Sequence, residues 1–459
     1  MVRSNLEIVP RETIAAIATA SGRGGIGIVR ISGKALASLA REILKKTMTP
    51  RTATLCNFYD ADSTVIDQGI ALFFLHPHSY TGEDVLEFQG HGGPAVLERL
   101  LQRCLELGCR LARPGEFTER AFLNNKLDLA QAESVADLIE ASSTEAAKSA
   151  IRSLTGEFSN RVRTLVVGLT ELRMHVEACI DFPEEEIDPA DRALQKSKLQ
   201  HIRSLQAILS WSATQGAVLR DGLTVALIGR PNVGKSSLLN RLAGEEVAIV
   251  TPIAGTTRDH VRATILIRGV PIHLIDTAGL RDTEDVVEKI GIERTWLAVE
   301  KAGAALLIAE ASEITGKNDA EILAKLSPTL PVAWVYNKID AYGQRPQLIK
   351  DDKKHRATFK ISALTGEGVE LVRDWLLETA GWQPSGEGIF MARERHLTAL
   401  KLAEAHLGIA AQLAEQTAVQ FELFAEELRL AQRAFASITG EFTPDDLLGE
   451  IFGKFCIGK

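Results

Sequence analysis

The sequence predicts a multidomain chain of mixed α/β and α class. An α+β region opens it, and an α/β unit is inserted into a helical domain. Three observations predict this. In the middle of the chain, apolar strand-like runs alternate with helical stretches, the pattern of a largely parallel sheet. On either side of that unit, Leu, Val, Met and Ala recur at three-to-four spacing, as amphipathic helices require. The N-terminal stretch instead combines short apolar runs with glycine-rich turns.

Residues 1–124 contain IAAIATASGRGGIGIVRISG and QGIALFFLHPHSYTGEDVLEFQGHGG, which read as strands and turns. Residues 125–221 are helical, as in RVRTLVVGLTELRMHVEACI. The α/β unit occupies 222–380: LTVALIGRPNVGKSSLLNRLAG is a buried strand, a glycine-rich turn and an apolar helix. ATILIRGVPIHLID follows as two strands about a glycine turn, then AALLIAE, PVAWVYNKID and ATFKISA as further strands. Residues 381–459 return to a helical pattern rich in Ala, Leu, Glu and Gln. The two helical runs are either separate domains or halves of one domain that receives the α/β unit. Insertion is the reading preferred here, and it needs only that the inserted unit's termini lie close together. The chain ends GEIFGKFCIGK, packing two Phe, an Ile and a Cys among Gly and Lys. Ends normally fray, so this mixture suggests a docked tail.

A length of 459 residues is consistent with about two to four domains. Hydrophobic and charged fractions of 45% and 24% are ordinary for a globular protein. A net charge of −8 argues against a globally basic nucleic-acid binder, although a local basic face is compatible with it. No apolar run is long enough to span a membrane, and the N-terminus lacks a signal-peptide core, so no membrane span is expected. The five cysteines (Cys56, Cys104, Cys109, Cys179 and Cys456) show no CxxC spacing. That argues against a disulfide framework or zinc site and for a reducing, cytoplasmic location.

Gly229–Ser237, GRPNVGKSS, fits the phosphate-loop pattern between a strand and a helix. The amides of Asn232, Val233, Gly234, Lys235, Ser236 and Ser237 would cradle phosphates, with the Lys235 amine on the β/γ oxygens and the Ser236 hydroxyl on Mg²⁺. Asp276–Gly279, DTAG, ends a strand. It places Asp276 near the Mg²⁺ and Thr277, Ala278 and Gly279 by the γ-phosphate. Gly255–Asp259, GTTRD, supplies Thr257 as a second Mg²⁺ ligand. Asn337–Asp340, NKID, also ends a strand, with Asn337, Lys338 and Asp340 at the base. Asp340 can accept from both the ring N–H and the exocyclic amine of guanine, and a buried Asp340 would be left unsatisfied by adenine. In ISAL, a backbone amide among Ser362, Ala363 and Leu364 can reach the base oxygen. Four such elements in this order predict GTP as ligand. A Ras-like GTPase carries a water-orienting glutamine after DTAG, but Leu280 stands there. Either hydrolysis is feeble or another group acts; Arg281 and the carboxylates Asp282, Glu284, Asp285, Glu288 and Glu293 are nearby.

Beyond the GTPase motifs, the whole chain resembles the MnmE (TrmE) family of tRNA modification GTPases. The resemblance rests on GRGGIGIVRISG, YTGEDVLEFQGHGG, RPGEFTERAFLNNKLDLAQAE, VEKIGIER and the terminal FCIGK. It implies a Ras-like P-loop GTPase domain whose face-to-face dimerisation, triggered by K⁺, drives hydrolysis. Asn232, Thr251, Ile253 and Thr256 would hold the K⁺, with Thr251 and Thr256 also at the nucleotide. Glu288 would position the attacking water and, with Lys235, form the catalytic set. The resemblance further implies an N-terminal tetrahydrofolate-binding domain that makes a homodimer. A 5-formyltetrahydrofolate or related one-carbon folate would meet Arg30, Glu87, Lys126 and Lys459 there. Cationic groups suit the folate's carboxylates, and Glu87 suits the pterin's donors. The implied partner is the flavoprotein MnmG (GidA). With it, an aminomethyl or carboxymethylaminomethyl group is added at carbon five of the wobble uridine of certain tRNAs.

Within that reading Phe452 and Phe455 anchor the tail, Lys459 reaches the folate and Cys456 is a candidate nucleophile. Two other classes compete: a GTP-switched ribosome-assembly or RNA-binding protein, and a folate-dependent one-carbon enzyme regulated by GTP. The N-terminal block and FCIGK favour the modification enzyme.

Overall fold

The computed structural model describes residues 12–181, 189–230, 232–244, 263–276, 299–312, 326–351, 356–383, 388–416, 420–441 and 445–458. They form two compact units, Met1–Ala136 with Phe435–Lys459, and Asp137–Ala434.

The first unit is a mixed sheet in the order β3-β4-β5-β2-β1-β6. Its strands are β1 (Ile14–Ile17), β2 (Gly24–Gly33), β3 (Thr54–Tyr59), β4 (Val65–Phe74), β5 (Asp84–Gly92) and β6 (Arg110–Leu111). Helices α1 (Ala37–Leu44) and α2 (Pro94–Glu106) pack against one face, burying Ile43, Leu97 and Leu100 with Val29, Ile31, Phe58 and Phe88. Alternation in β2 turns Val29 and Ile31 into this core, which puts Arg30 on the opposite face. α3 (Glu116–Leu123), the start of α4 (Leu129–Glu140) and the tail helix α12 (Asp445–Gly453) complete the unit. Phe452 and Phe455 are buried beside Leu129, Ala132 and Ile451, so the two phenylalanines do act as anchors for the chain's end.

The second unit contains a seven-stranded sheet in the order β12-β13-β11-β10-β7-β9-β8. These strands are β7 (Leu223–Gly229), β8 (Ala263–Ile267), β9 (Val270–Asp276), β10 (Ala304–Glu310), β11 (Val332–Asn337), β12 (Gln347–Asp351) and β13 (Arg356–Lys360). All pairs are parallel except the two edge pairs, β8 with β9 and β12 with β13. Buried on both faces for most of their length, β7 and β10 read as near-continuous apolar runs. The β8–β9 turn is Arg268–Gly269, both with positive φ (50° and 82°), which suits the tightest hairpin. α8 (Lys235–Ala243) and α9 (Val369–Thr379) cover the core through Leu238, Leu242, Val372 and Leu376.

α5 (Thr144–Leu154), α6 (Glu157–Asp181), α7 (Pro189–Asp221), α10 (Glu394–Glu415) and most of α11 (Phe421–Thr439) make the helical part of the second unit. Asp137, 4% exposed, accepts from Arg220 at the end of α7 (3.2 Å) and from Arg393 before α10 (2.8 Å). Among the described residues no helix is long and apolar enough to cross a membrane.

Candidate functional site

In the second sheet, β7 is flanked by β9 on one side and β10 on the other. The strand order therefore reverses at β7/β10, the place where open parallel sheets hold ligands beyond their carboxyl ends. The described motifs converge there. β7 ends at Gly229 and α8 begins at Lys235, while β9 ends at Asp276 and β11 at Asn337. The turn between β7 and α8 has positive φ at Asn232 (66°) and Gly234 (94°). Such a turn presents successive N–H groups to an anion, and the start of α8 adds partial positive charge. Lys235 Nζ donates to the Gly229 (2.6 Å) and Arg230 (3.0 Å) carbonyls. Ser236 and Ser237 are exposed and Val233 is buried.

One side chain ties three motifs together. Asn337, 2% exposed, donates through Nδ2 to the Val233 carbonyl (3.0 Å) and accepts through Oδ1 from the Ala363 amide (2.9 Å). Ser362 is buried, with its Oγ accepting from the Thr365 amide at 3.1 Å, whereas Leu364 is 75% exposed. Lys338 (φ 68°) pairs with Glu310 at 3.2 Å, and the Tyr342 hydroxyl donates to the same carboxylate at 2.8 Å. The Tyr342 and Lys338 hydrogen bonds hold the Glu310 carboxyl below its ordinary range. Asp340 is exposed rather than buried, because it stands on the short turn Ile339–Tyr342 beyond the strand end. Sequence reading misses Glu310 and Tyr342. A carboxylate closing the apolar run AALLIAE was the one signal for the first of them.

Thr251, Ile253, Thr256, Thr257, Thr277, Ala278, Gly279, Leu280, Arg281, Glu288 and the neighbouring carboxylates lie outside the described residues, as does Lys459. Of Asp276 only the backbone is described.

In the first unit, Arg30 on β2 and Glu87 on β5 are direct cross-strand partners. Their side chains, 20% and 13% exposed, form an ion pair at 2.8 Å. The guanidinium lies 5.6 Å from the Tyr80 ring centroid and 5.8 Å from that of Phe117, within cation–π range. Gln89 Nε2 donates to the other Glu87 oxygen at 3.2 Å. Two residues expected to serve different ends of one ligand are therefore bonded to each other here. Lys126, exposed in the turn after α3, donates to the Pro77 carbonyl at 3.0 Å, and its stem packs by Gly82. The segment that Lys126 touches also carries Tyr80, so Arg30 and Lys126 share one loop.

Beneath it lies a polar network. Arg120 donates to Glu83 (2.8 Å) and Glu116 (3.0 Å), Arg110 donates to Glu116 (2.8 Å), and Ser32 to Glu83 (2.9 Å). Burial would raise the Glu116 carboxyl, but Arg110, the Arg113 amide and Arg120 outweigh it and bring it down to about 2.

The tail's Cys456 carbonyl accepts from the Gly115 amide at 3.4 Å. Gly458 (φ 94°) passes so close to β1 that a Cβ there would lie 2.3 Å from the Ile17 carbonyl oxygen. The Cys456 side chain is exposed, whereas Cys56, Cys104 and Cys109 are buried and burial pushes the Cys109 thiol up to about 11. His91 is exposed and paired through Nδ1 with Asp67 at 2.7 Å.

Two family models match the chain. One, described as "GTP-binding protein TrmE N-terminus", covers residues 13–126, and the other, "MnmE helical domain", covers 129–456. Relatives named tRNA modification GTPase MnmE match nearly end to end. The protein from Thiobacillus denitrificans is 58% identical over 448 residues, 98% of each chain. That from Nitrosomonas europaea is 58% identical over 450 residues, 98% of this chain and 99% of the other. That from Chromobacterium violaceum is 56% identical over 456 residues, 99% of this chain and all of the other. A crystal structure of Aquifex aeolicus Era shares 31% identity over 42% of this chain and 68% of that one, at a TM-score of 0.27.

Proposed function

The chain belongs to the MnmE (TrmE) family, and from that premise we propose that it is a GTP hydrolase acting in tRNA modification. The observation that carries the reading is the single buried side chain of Asn337, which joins the phosphate turn, the NKID strand end and the Ile361–Leu364 loop. A nucleotide bridging the first and last of these touches phosphates at one end and a base at the other.

The finer reading follows the family. Ser236 and Thr257 would hold Mg²⁺, and Asn232, Thr251, Ile253 and Thr256 would hold K⁺. The two cations supply positive charge beside the phosphates, where charge develops during hydrolysis. Oxygen donors of this kind suit both ions, and the left-handed turn at Asn232 suits an anion beside them. Lys235, now on carbonyls of its own loop, would exchange them for phosphate oxygens. Asp276, Thr277, Ala278 and Gly279 would line the γ-phosphate, with Lys338, Asp340, Ser362, Ala363 and Leu364 around guanine. Glu288 would orient the water that Leu280 cannot. A homodimer would hold a one-carbon folate near Arg30, Glu87, Lys126 and Lys459. The flavoprotein MnmG would complete the reaction at the wobble uridine, with Cys456 as a candidate nucleophile. The exposed Cys456 and the Tyr80 loop beside Arg30 support that assignment.

Two measurements test the reading. Purified chain should hydrolyse GTP faster in K⁺ than in Na⁺, and Glu288→Ala should bind GTP yet lose most of that turnover. Wobble-uridine nucleosides from a strain lacking the gene should be unmodified. Intact modification with accumulated ribosome precursors would instead establish the assembly-factor reading.

A further inference from the structure

Arg241 stands near the C-terminal end of α8, the helix whose first residues follow the phosphate turn. Its guanidinium reaches the loop after β13. Nε donates to the Ala363 carbonyl at 3.3 Å, and a terminal N–H donates to the Leu364 carbonyl. One planar fork thus holds two consecutive carbonyls, a task for which lysine has no equivalent. The fork rests over Gly366 (φ 91°), where a Cβ would lie 3.6 Å from Nε and Cζ. The helix end is fixed in turn by Arg373 on α9, which donates to the carbonyls of Arg241 (2.6 Å) and Leu242 (3.1 Å).

These bonds set the orientation of three successive peptide planes. The first is held by Asn337 Oδ1, which accepts from the Ala363 N–H, and the third by Ser362 Oγ, which accepts from the Thr365 N–H. In the middle plane the Ala363 carbonyl is turned toward Arg241. A trans peptide carries its carbonyl and N–H on opposite sides, so the Leu364 N–H faces away from Arg241.

We infer that Arg241 is a positioning residue for base recognition, aiming the Leu364 N–H at the oxygen on carbon six of a bound purine. This rests on the GTP-binding reading above. Guanine presents an acceptor at that position and adenine an amine that also donates, so the amide favours one and opposes the other. Arg241 thereby enforces selectivity at a different atom of the base from those Asp340 would read.

The test is titration of GDP, IDP and ADP onto the full-length wild-type chain, Arg241→Ala and Arg241→Lys. IDP keeps the six-oxygen but lacks the amine that Asp340 would read. Arg241→Ala should weaken GDP and IDP by the same factor, about three- to tenfold, and leave ADP no weaker than before. The preference for GDP over ADP then falls by at least that factor. Arg241→Lys, able to reach one carbonyl, should recover part of the loss. Undiminished GDP binding in Arg241→Ala overturns the inference. So does an equal loss for GDP and ADP, which would move the effect to the phosphate end or to folding. If the wild-type chain itself binds no GDP, the GTP reading falls first.

Discussion

Gly234 and Asn337 fit so closely that a Cβ on Gly234 would lie 2.2 Å from Asn337 Nδ2. Gly234 also holds φ 94°, a conformation that costs a non-glycine residue about 1–3 kcal/mol. Gly234→Ala must therefore strain the phosphate turn and push Asn337 off Val233 and Ala363. The expected outcome is a GTP affinity reduced by roughly tenfold or more, given about 1 kcal/mol for each hydrogen bond lost. Fluorescent-nucleotide titration measures it, and wild-type affinity in the variant would show that the fit has no role in binding.

Phe452 is 2% exposed, with its ring centroid 5.6 Å from that of Phe455 and 6.3 Å from that of Phe122. Phe452→Ala should destabilise the first unit by about 3–5 kcal/mol. It should also speed hydrogen exchange across 445–458 before it does so in β2 and β5. Unchanged exchange in the tail would mean that docking does not depend on this ring.

Acid should weaken the first unit through Glu116. Its folded carboxyl titrates near 2 against an ordinary 4.5, so its contribution is complete above about pH 4.5 and is lost as pH falls toward 2. The amount at stake is on the order of 3 kcal/mol. Glu116→Gln should lower stability at pH 7 and flatten the acid limb of a urea-stability profile. An acid limb as steep as that of the wild type would assign the effect to other carboxylates.

Arg30 and Glu87 are half of the proposed folate set and also partners of each other. Because both are largely buried, a double-mutant cycle on thermal or urea stability should give a coupling of about 1 kcal/mol or more, above the range of exposed pairs. Arg30→Ala should also weaken retention of a reduced folate, measured by equilibrium dialysis. A coupling near zero would reduce the pair to a surface contact.

The local pattern of the sequence determined the strands and turns around the nucleotide site. Runs such as LTVALIG and AALLIAE must be buried on both faces, and only a glycine-rich, left-handed turn can lead from Gly229 into α8 at that spacing. The edge strand β12 was not legible. QLIKD has four of its five residues exposed, so no apolar alternation marks it, and its pairing with β13 is what makes it a strand. The phosphate, base and Mg²⁺ expected at the motifs were likewise read from residue types and spacing, whereas the K⁺ expected there came only with the family resemblance. Which residues meet was decided by the tertiary structure. Register between distant strands joined Arg30 to Glu87, 57 positions away. Parallel pairing of β7, β10 and β11 brought Asn337 to Val233, 104 positions away. Docking of an end segment on α3 and α4 turned Phe452 and Phe455 into core residues. Pattern records what each residue needs locally, but a hydrogen bond or ring contact between distant positions exists only once packing has chosen their neighbours.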